Sequence, residues 1–178
     1  MKRRAVFLDR DGVLNEAIVR NGRPYPPESL ADLRLVLSVH KDLAILKQLG
    51  YLLLVVTNQP DVATGKTRRA TVEEMHSYLQ TQLPLDGVYS CYHQDNDLCE
   101  CRKPKPGMLL QGAADHDVDL ESSFMIGDRW RDIDAGAAAG CRTLLIDYGY
   151  SERSSSVEPW ARVSSLSEAT SRIAACHA

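Results

Sequence analysis

The run Tyr51-Leu52-Leu53-Leu54-Val55-Val56 is apolar without a break and stops abruptly at Thr57-Asn58-Gln59. A run of this kind fits a strand of a parallel sheet, which is buried on both faces. The pattern recurs along the chain. Residues 5–8 form a first strand that ends in Asp9-Arg10-Asp11-Gly12, residues 87–91 a third, residues 123–126 a fourth that ends at Gly127-Asp128, and residues 142–146 a fifth. Helical patterns lie between them. Residues 40–49 carry Leu43, Leu46 and Leu49 and stop at Gly50, as a helix with a glycine cap does. Thr71-Val72-Glu73-Glu74 reads as a capping box that opens a helix to about Leu83. Residues 107–114 and 132–139 read as two more helices, the latter closed by Gly140. The proline-bearing residues 21–27 are expected to be a loop, residues 151–156 a surface loop, and residues 151–178 a tail with one helix. Strands alternating with helices predict a three-layer α/β fold around a parallel sheet.

At 178 residues the chain is expected to form one domain with a core at about residues 5–147. A formal charge of −3 gives no footprint for nucleic acid, and no apolar run approaches the length of a membrane span. The basic start Met1-Lys2-Arg3-Arg4 is followed by about four apolar residues before Asp9, too few for a signal-peptide core. A cytoplasmic monomer is the expectation.

The chemistry lies just past the strand ends. Asp9 and Asp11 alternate at the end of the first, and two anions held so close call for a cation; oxygen-only ligands favour Mg²⁺. Thr57, Asn58 and Gln59 end the second and can hydrogen-bond a phosphate oxygen. Arg102-Lys103-Pro104 comes after the third and supplies two cations. Asp128 ends the fourth, with Asp132 and Asp134 behind it. Parallel sheets bring such positions to one edge. Carboxylates, a hydroxyl and a lysine gathered there suit phosphoryl transfer, with Asp9 attacking phosphorus and Thr57 and Lys103 stabilising the equatorial oxygens.

D-R-D-G, T-N-Q, R-K-P and G-D-x-x-x-D, in this order from about Ala5 to Asp147, resemble the haloacid dehalogenase superfamily of aspartate-nucleophile phosphatases. The resemblance implies a Rossmann-like fold and a Mg²⁺-dependent aspartyl-phosphate mechanism. It makes Asp9 the nucleophile and Asp11 the acid and base. Thr57 and Lys103 become the phosphate stabilisers, and Asp9, Asp11 (with its backbone carbonyl) and Asp128 the magnesium ligands. Asp132 is the outer acid of the last motif. Only 45 residues separate Asp11 from Thr57, so no cap domain fits there, and residues 15–27 and 60–69 must shape substrate choice together with a cysteine loop.

That loop is Cys91-Tyr92-His93 followed by Cys99-Glu100-Cys101. Three thiolates and an imidazole suit tetrahedral Zn²⁺, and four protein ligands leave no open position for catalysis. The metal would pin a loop that leads straight into Arg102 and Lys103. Together with C-R-K-P-x-P-G-M, the loop resembles one branch of that superfamily, which holds D-glycero-D-manno-heptose 1,7-bisphosphate phosphatases and histidinol-phosphate phosphatases. The resemblance implies a small phosphorylated substrate. Removal of the 7-phosphate of the heptose bisphosphate is the first expectation and histidinol-phosphate hydrolysis the second; a silent zinc-stabilised binding module is the third. Arg102 is expected to grip a second anionic end of the substrate through its guanidinium fork.

Overall fold

The computed structural model describes residues 2–176. Six parallel strands form the main sheet: β1 (Arg4–Leu8), β4 (Tyr51–Asn58), β5 (Gly87–Cys91), β6 (Phe124–Gly127), β7 (Arg142–Ile146) and β8 (Ala161–Val163). Their spatial order is β5-β4-β1-β6-β7-β8. The remaining strands, β2 (Ile18–Arg20) and β3 (Arg23–Tyr25), make a separate antiparallel hairpin. Among the described residues the fold has five α-helices, α1 (Val39–Gln48), α2 (Arg69–Gln82), α3 (Gly107–His116), α4 (Trp130–Ala138) and α5 (Leu166–Ala175), and short 3-10 turns at Leu30–Asp32 and Asp95–Asp97.

The central strands are apolar throughout because both faces of the sheet are covered. Val6, Leu8, Leu53 and Val55 point to one side, where Leu43 and Leu46 of α1, Met75 and Leu79 of α2 and Ile173 of α5 meet them. Ala5, Phe7, Leu52, Leu54 and Val56 point to the other, against Met108 and Leu109 of α3 and Ala135 of α4. A period of two in the strands thus divides the core into two layers of side chains. The chain leaves β1 towards β4 and β5, then crosses back to β6 on the other side of β1. Such a reversal opens a crevice at the carboxyl ends of the strands on either side of it, here β1 and β6. Between Asp11 and Thr57 the chain has room only for the hairpin and α1 before β4, and no cap domain is present among the described residues. No described helix is long and apolar enough to cross a membrane.

Three local expectations change. Residues 21–27 are not all loop, since Asn21 and Gly22 both take positive φ and turn β2 into β3, the Asn-Gly hairpin signal. The helix expected to open at Thr71 begins at Arg69, with Thr71 inside its first turn and its N–H on the Arg68 carbonyl. Its start is set by where Val72, Met75 and Leu79 meet the core, so the Thr71–Glu74 pair does not cap it. The tail contributes more than a helix. β8 extends the sheet beside β7, and Ser165 caps α5 by accepting from the Glu168 N–H at 3.2 Å.

α5 therefore lies on the same core layer as α1, and Ser167 of α5 donates to the buried Asp42 of α1 at 2.9 Å. Ile173→Ala should lower stability by about 2–5 kcal/mol in urea denaturation. A change under about half a kcal/mol would show that this helix is an appendage.

Candidate active site

β1 delivers Asp9 to the crevice because its pairing with β6 continues one residue past the strand: the Asp9 N–H donates to the Ile126 carbonyl at 2.9 Å. Gly12 then turns the chain at φ +83°, and any Cβ there would collide with the Asp128 carboxylate. Glycine is required for both reasons. The Tyr148 hydroxyl donates to the Gly12 carbonyl at 3.1 Å and fixes this turn from the β7 side.

The centre of the site is Lys103, whose side chain is almost wholly buried. Its ammonium donates to Asp132 Oδ1 at 2.6 Å and to the Val56 carbonyl at 2.7 Å, and lies 2.9 Å from Asp9 Oδ1. Asn58 holds the Lys103 backbone with a two-way clasp: Nδ2 donates to its carbonyl at 3.0 Å and Oδ1 accepts its N–H at 3.1 Å. The other Asp132 oxygen accepts the Arg129 N–H at 3.0 Å, so one carboxylate both caps α4 and holds the lysine. Gln59 Nε2 donates to Thr57 Oγ1 and to Asp11 Oδ2, each at 2.9 Å. The amides of Asn58 and Gln59, expected to face substrate, are thus occupied in placing Lys103, Thr57 and Asp11.

The carboxylates are not equivalent. Asp9, Asp128 and Asp132 offer oxygens that all lie within 4.8 Å of one another. Burial raises the Asp9 pKa; Lys103 opposes it, Asp132 and Asp11 add to it, and the outcome is about 6. Burial, then the Asp9 and Asp132 charges, push Asp128 well above the ordinary range. Both Asp128 oxygens are buried without a well-formed hydrogen bond among the described residues, although the Tyr150 hydroxyl lies close enough to lower the Asp128 pKa in part. One ammonium shared by Asp9 and Asp132 leaves the negative charge of this cluster uncompensated, and the buried Asp128 oxygens point to what compensates it. The donor set is all oxygen, so the residues fit Mg²⁺, with Asp9 and Asp128 best placed to hold it. The Asp11 carboxylate stands apart from this cluster. Burial acts to raise it, but the Arg10 charge and hydrogen bonds from Asn15, Arg10 and Gln59 outweigh burial and hold it below the usual carboxylate range.

Asp9, Asp11, Lys103 and Asp128 line a cavity of about 280 Å³. Its outer wall carries Arg23, Tyr25, Asp61, Arg129, Arg131 and Glu152. Arg102, expected to read the substrate, is absent from the lining; its Nε donates to Asp95 at 2.7 Å. The cations of the wall come instead from the hairpin and from the start of α4. Sequence reasoning passed over Arg129 and Arg131, although both stand just after Gly127-Asp128. Arg129 pairs with Glu152, and Arg131 grips both oxygens of Asp95 at 3.1 Å.

Cys91 ends β5, and its sulfur lies 3.2 Å from that of Cys101, 3.8 Å from that of Cys99 and 3.5 Å from His93 Nδ1. All four side chains offer atoms within 4.8 Å of one another. Burial, then the Cys101 thiol beside it, raise the Cys91 pKa, so metal binding must displace its proton. Three sulfurs and one nitrogen fit Zn²⁺. Cys141 is packed in the core and Cys176 is exposed.

A lysine set among acids at the reversal point of a parallel sheet marks a class, the α/β enzymes that handle phosphoryl groups. A family model described as HAD-hydrolase-like matches residues 100–169. The D-glycero-beta-D-manno-heptose-1,7-bisphosphate 7-phosphatase of Helicobacter pylori is 38% identical over 149 residues, which is 80% of this chain and 83% of that protein. Its counterpart in Escherichia coli K12 is 34% identical over 154 residues, 80% of this chain and 78% of the relative. Among solved structures, a D,D-heptose 1,7-bisphosphate phosphatase from B. bronchiseptica, complexed with magnesium and phosphate, has a TM-score of 0.79 at 27% identity, covering 97% of this chain and 98% of its own. The chain belongs to the heptose-1,7-bisphosphate 7-phosphatase family of the haloacid dehalogenase superfamily.

If Gly12 serves the Asp128 site as its geometry requires, Gly12→Ala should weaken Mg²⁺ binding by about tenfold or more in titration calorimetry. Unchanged Mg²⁺ affinity would refute that requirement.

Proposed function

We propose that this protein is a Mg²⁺-dependent phosphatase that removes the 7-phosphate of D-glycero-β-D-manno-heptose 1,7-bisphosphate through a phosphoryl group carried on Asp9. One observation carries the reading: Asp9, Asp128 and Asp132 converge on each other, and the buried Lys103 pairs with Asp9 and Asp132, at the floor of a cavity whose wall carries three arginines. The named relatives support the choice of substrate.

When bound, Mg²⁺ neutralises the phosphoryl oxygens and orients them for in-line displacement. The chain's own residues do the rest. An Asp9 oxygen attacks phosphorus while the bond to the sugar oxygen breaks. Asp11 in its protonated form gives its proton to that leaving oxygen; arrival of the anionic phosphate beside it favours protonation. Water then attacks phosphorus, passes a proton to Asp11 and frees Asp9 and inorganic phosphate. Lys103 and the Thr57 hydroxyl bind equatorial oxygens throughout. Arg129 and Arg131 take the place expected of Arg102 and meet the 1-phosphate. Histidinol phosphate brings an ammonium group in place of the second phosphate and so gives these arginines no anion to bind. We assign zinc to Cys91, His93, Cys99 and Cys101, and with it an indirect role. The zinc loop carries Asp95, Asp95 grips Arg131, and Arg131 faces the cavity. We read the chain as one domain acting as a monomer in the cytoplasm; the clustered thiols, arranged as metal ligands, fit a reducing compartment.

Asp9→Asn should lower phosphate release from the heptose bisphosphate by about 10³-fold or more. In the unmodified protein the remaining product should be the 1-phosphate, and histidinol phosphate should be a far poorer substrate. Full activity of Asp9→Asn, or a preference for histidinol phosphate, rejects the proposal. Removal of zinc by a thiol-selective chelator, or Cys101→Ala, should raise KM for the bisphosphate about tenfold and lower the melting temperature, with Mg²⁺ affinity retained. Unchanged KM and melting temperature would remove zinc from the account.

A further inference from the structure

Arg10 sits between the two acids of the strand end, is wholly buried, and does not line the active-site cavity. Its guanidinium is nevertheless fully engaged. Nε donates to Asp11 Oδ1 at 3.1 Å and Nη2 to Asp11 Oδ2 at 3.0 Å, a two-point grip on the carboxylate. Its remaining arm, Nη1, lies 3.2 Å from Nε2 of His76, a buried residue of α2. Guanidinium only donates, so Nε2 must accept and the imidazole must be neutral with its proton on Nδ1. The surroundings agree. Nδ1 lies 3.5 Å from Ser90 Oγ and 3.8 Å from Glu73 Oε2, both able to accept. Burial, then the Arg10 charge, lower the His76 pKa to about 4, so the ring stays neutral at ordinary pH.

A buried charged pair is weak evidence of stabilisation, because apolar residues of similar volume often serve as well or better. What the pair does provide is a fixed direction. Arg10 grips Asp11 with two of its nitrogens, and the third is held by His76. The imidazole also forms the floor of a cleft between α2 and β5, lined by Arg69, Glu73, Gln80, Ser90 and Tyr92, which shares no residue with the active-site cavity. His76 thus touches neither the proposed substrate nor the metal ligands.

We propose that His76 is a positioning residue for the acid–base carboxylate: by accepting from Arg10 it sets the guanidinium that aims Asp11 at the leaving oxygen. The inference rests on the phosphatase reading above, with Asp11 as proton donor. It makes a demand that general structural support does not. A sugar alkoxide needs a proton as it leaves, whereas p-nitrophenolate is stable without one. Misplacing Asp11 must therefore slow sugar-phosphate cleavage selectively.

The experiment compares kcat/KM for the heptose bisphosphate and for p-nitrophenyl phosphate, a ratio that reports the first phosphoryl transfer. His76→Leu, which removes the acceptor, should lower the sugar value by about tenfold or more and the aryl value by less than about threefold. His76→Gln, whose side-chain carbonyl can accept from Arg10, should restore the sugar value to within about threefold of the parent. If His76→Leu does not fold, His76→Phe, which also lacks an acceptor for Arg10, carries the same test. Asp11→Asn calibrates the largest selective loss attainable. Equal losses on both substrates, no loss on either, or failure of glutamine to rescue would overturn the role of His76. An unmodified protein inactive on both phosphoesters would instead overturn the phosphatase reading, and an Asp11→Asn variant that slows both substrates equally would overturn the proton-donor assignment. In either case the inference falls with its premise.

Discussion

The ammonium of Lys103 is buried between Asp9 and Asp132 and donates a further hydrogen bond to the Val56 carbonyl. Four separate parts of the chain meet at this one group: the end of β1, the end of β4, the segment after the cysteine loop, and the first turn of α4. Burying an isolated ammonium or carboxylate is prohibitive, so each partner is held in place by its need for the others. The strand ends would lie near one another in any parallel sheet of this order. Lys103 brings them to hydrogen-bonding distance. It cannot neutralise them, however. With Asp128 added, the acids outnumber the lysine, and both Asp9 and Asp128 are pushed towards the protonated form. The site is assembled by one cation and left short of another.

The position of Lys103 is itself fixed from two sides. Asn58 clasps its backbone from β4, while the cysteine and histidine cluster anchors the preceding loop at the end of β5. Between Gln94 and Glu100 the only large apolar residue is Leu98, and it is exposed. Such a segment has no core to fold on, so the thiols and imidazole supply its anchor. The same loop carries Asp95, which bridges Arg102 and Arg131. A change in this loop is transmitted both to the floor of the cavity, through Lys103, and to its wall, through Arg131.

The parts of this design legible in the sequence are those in which polar residues interrupt apolar runs. Unbroken strands announce a parallel sheet, and the residues just beyond them must gather at its edge. Asp9, Thr57 and Asp128 stand out in that way, while Lys103 stands beyond the cysteine loop that follows β5. Residues whose role depends on a neighbour in space do not. Asn58 and Gln59 carry the right groups for phosphate, and only the structure reveals that those groups already have partners. Arg102 adjoins Lys103 in sequence but turns to Asp95, whereas Arg129 and Arg131 look like ordinary charges at a helix start. Asn21-Gly22 is a hairpin signal, yet the prolines around it argue equally for a loop. Ser165-Leu166-Ser167-Glu168 is a capping pattern that announces α5, but the three residues of β8 are too few for any periodicity to reveal. His76 offers no signal at all, being a lone histidine at a core position of an amphipathic helix.

Asp9 and Asp11 show how neighbours in sequence acquire different chemistry. They are two residues apart, Asp9 buried and Asp11 partly so, and both line the same cavity, yet their pKa values move in opposite directions. The difference comes from their partners. Asp9 shares one ammonium with Asp132 and faces further negative charge, so the nucleophilic role proposed for it calls for an added cation. Asp11 has donors on both oxygens: Arg10 and Asn15 on one, Arg10 and Gln59 on the other. It is ionised without any metal and takes up a proton only when a second anion comes close. On the proposed mechanism Asp9 awaits a cation and Asp11 awaits an anion that raises its proton affinity, and a metal-bound phosphate would supply both. Separating two identical side chains in this way requires that their surroundings differ, and the surroundings of Asp11 are built from β4, α2 and the turn after β1 rather than from the metal site.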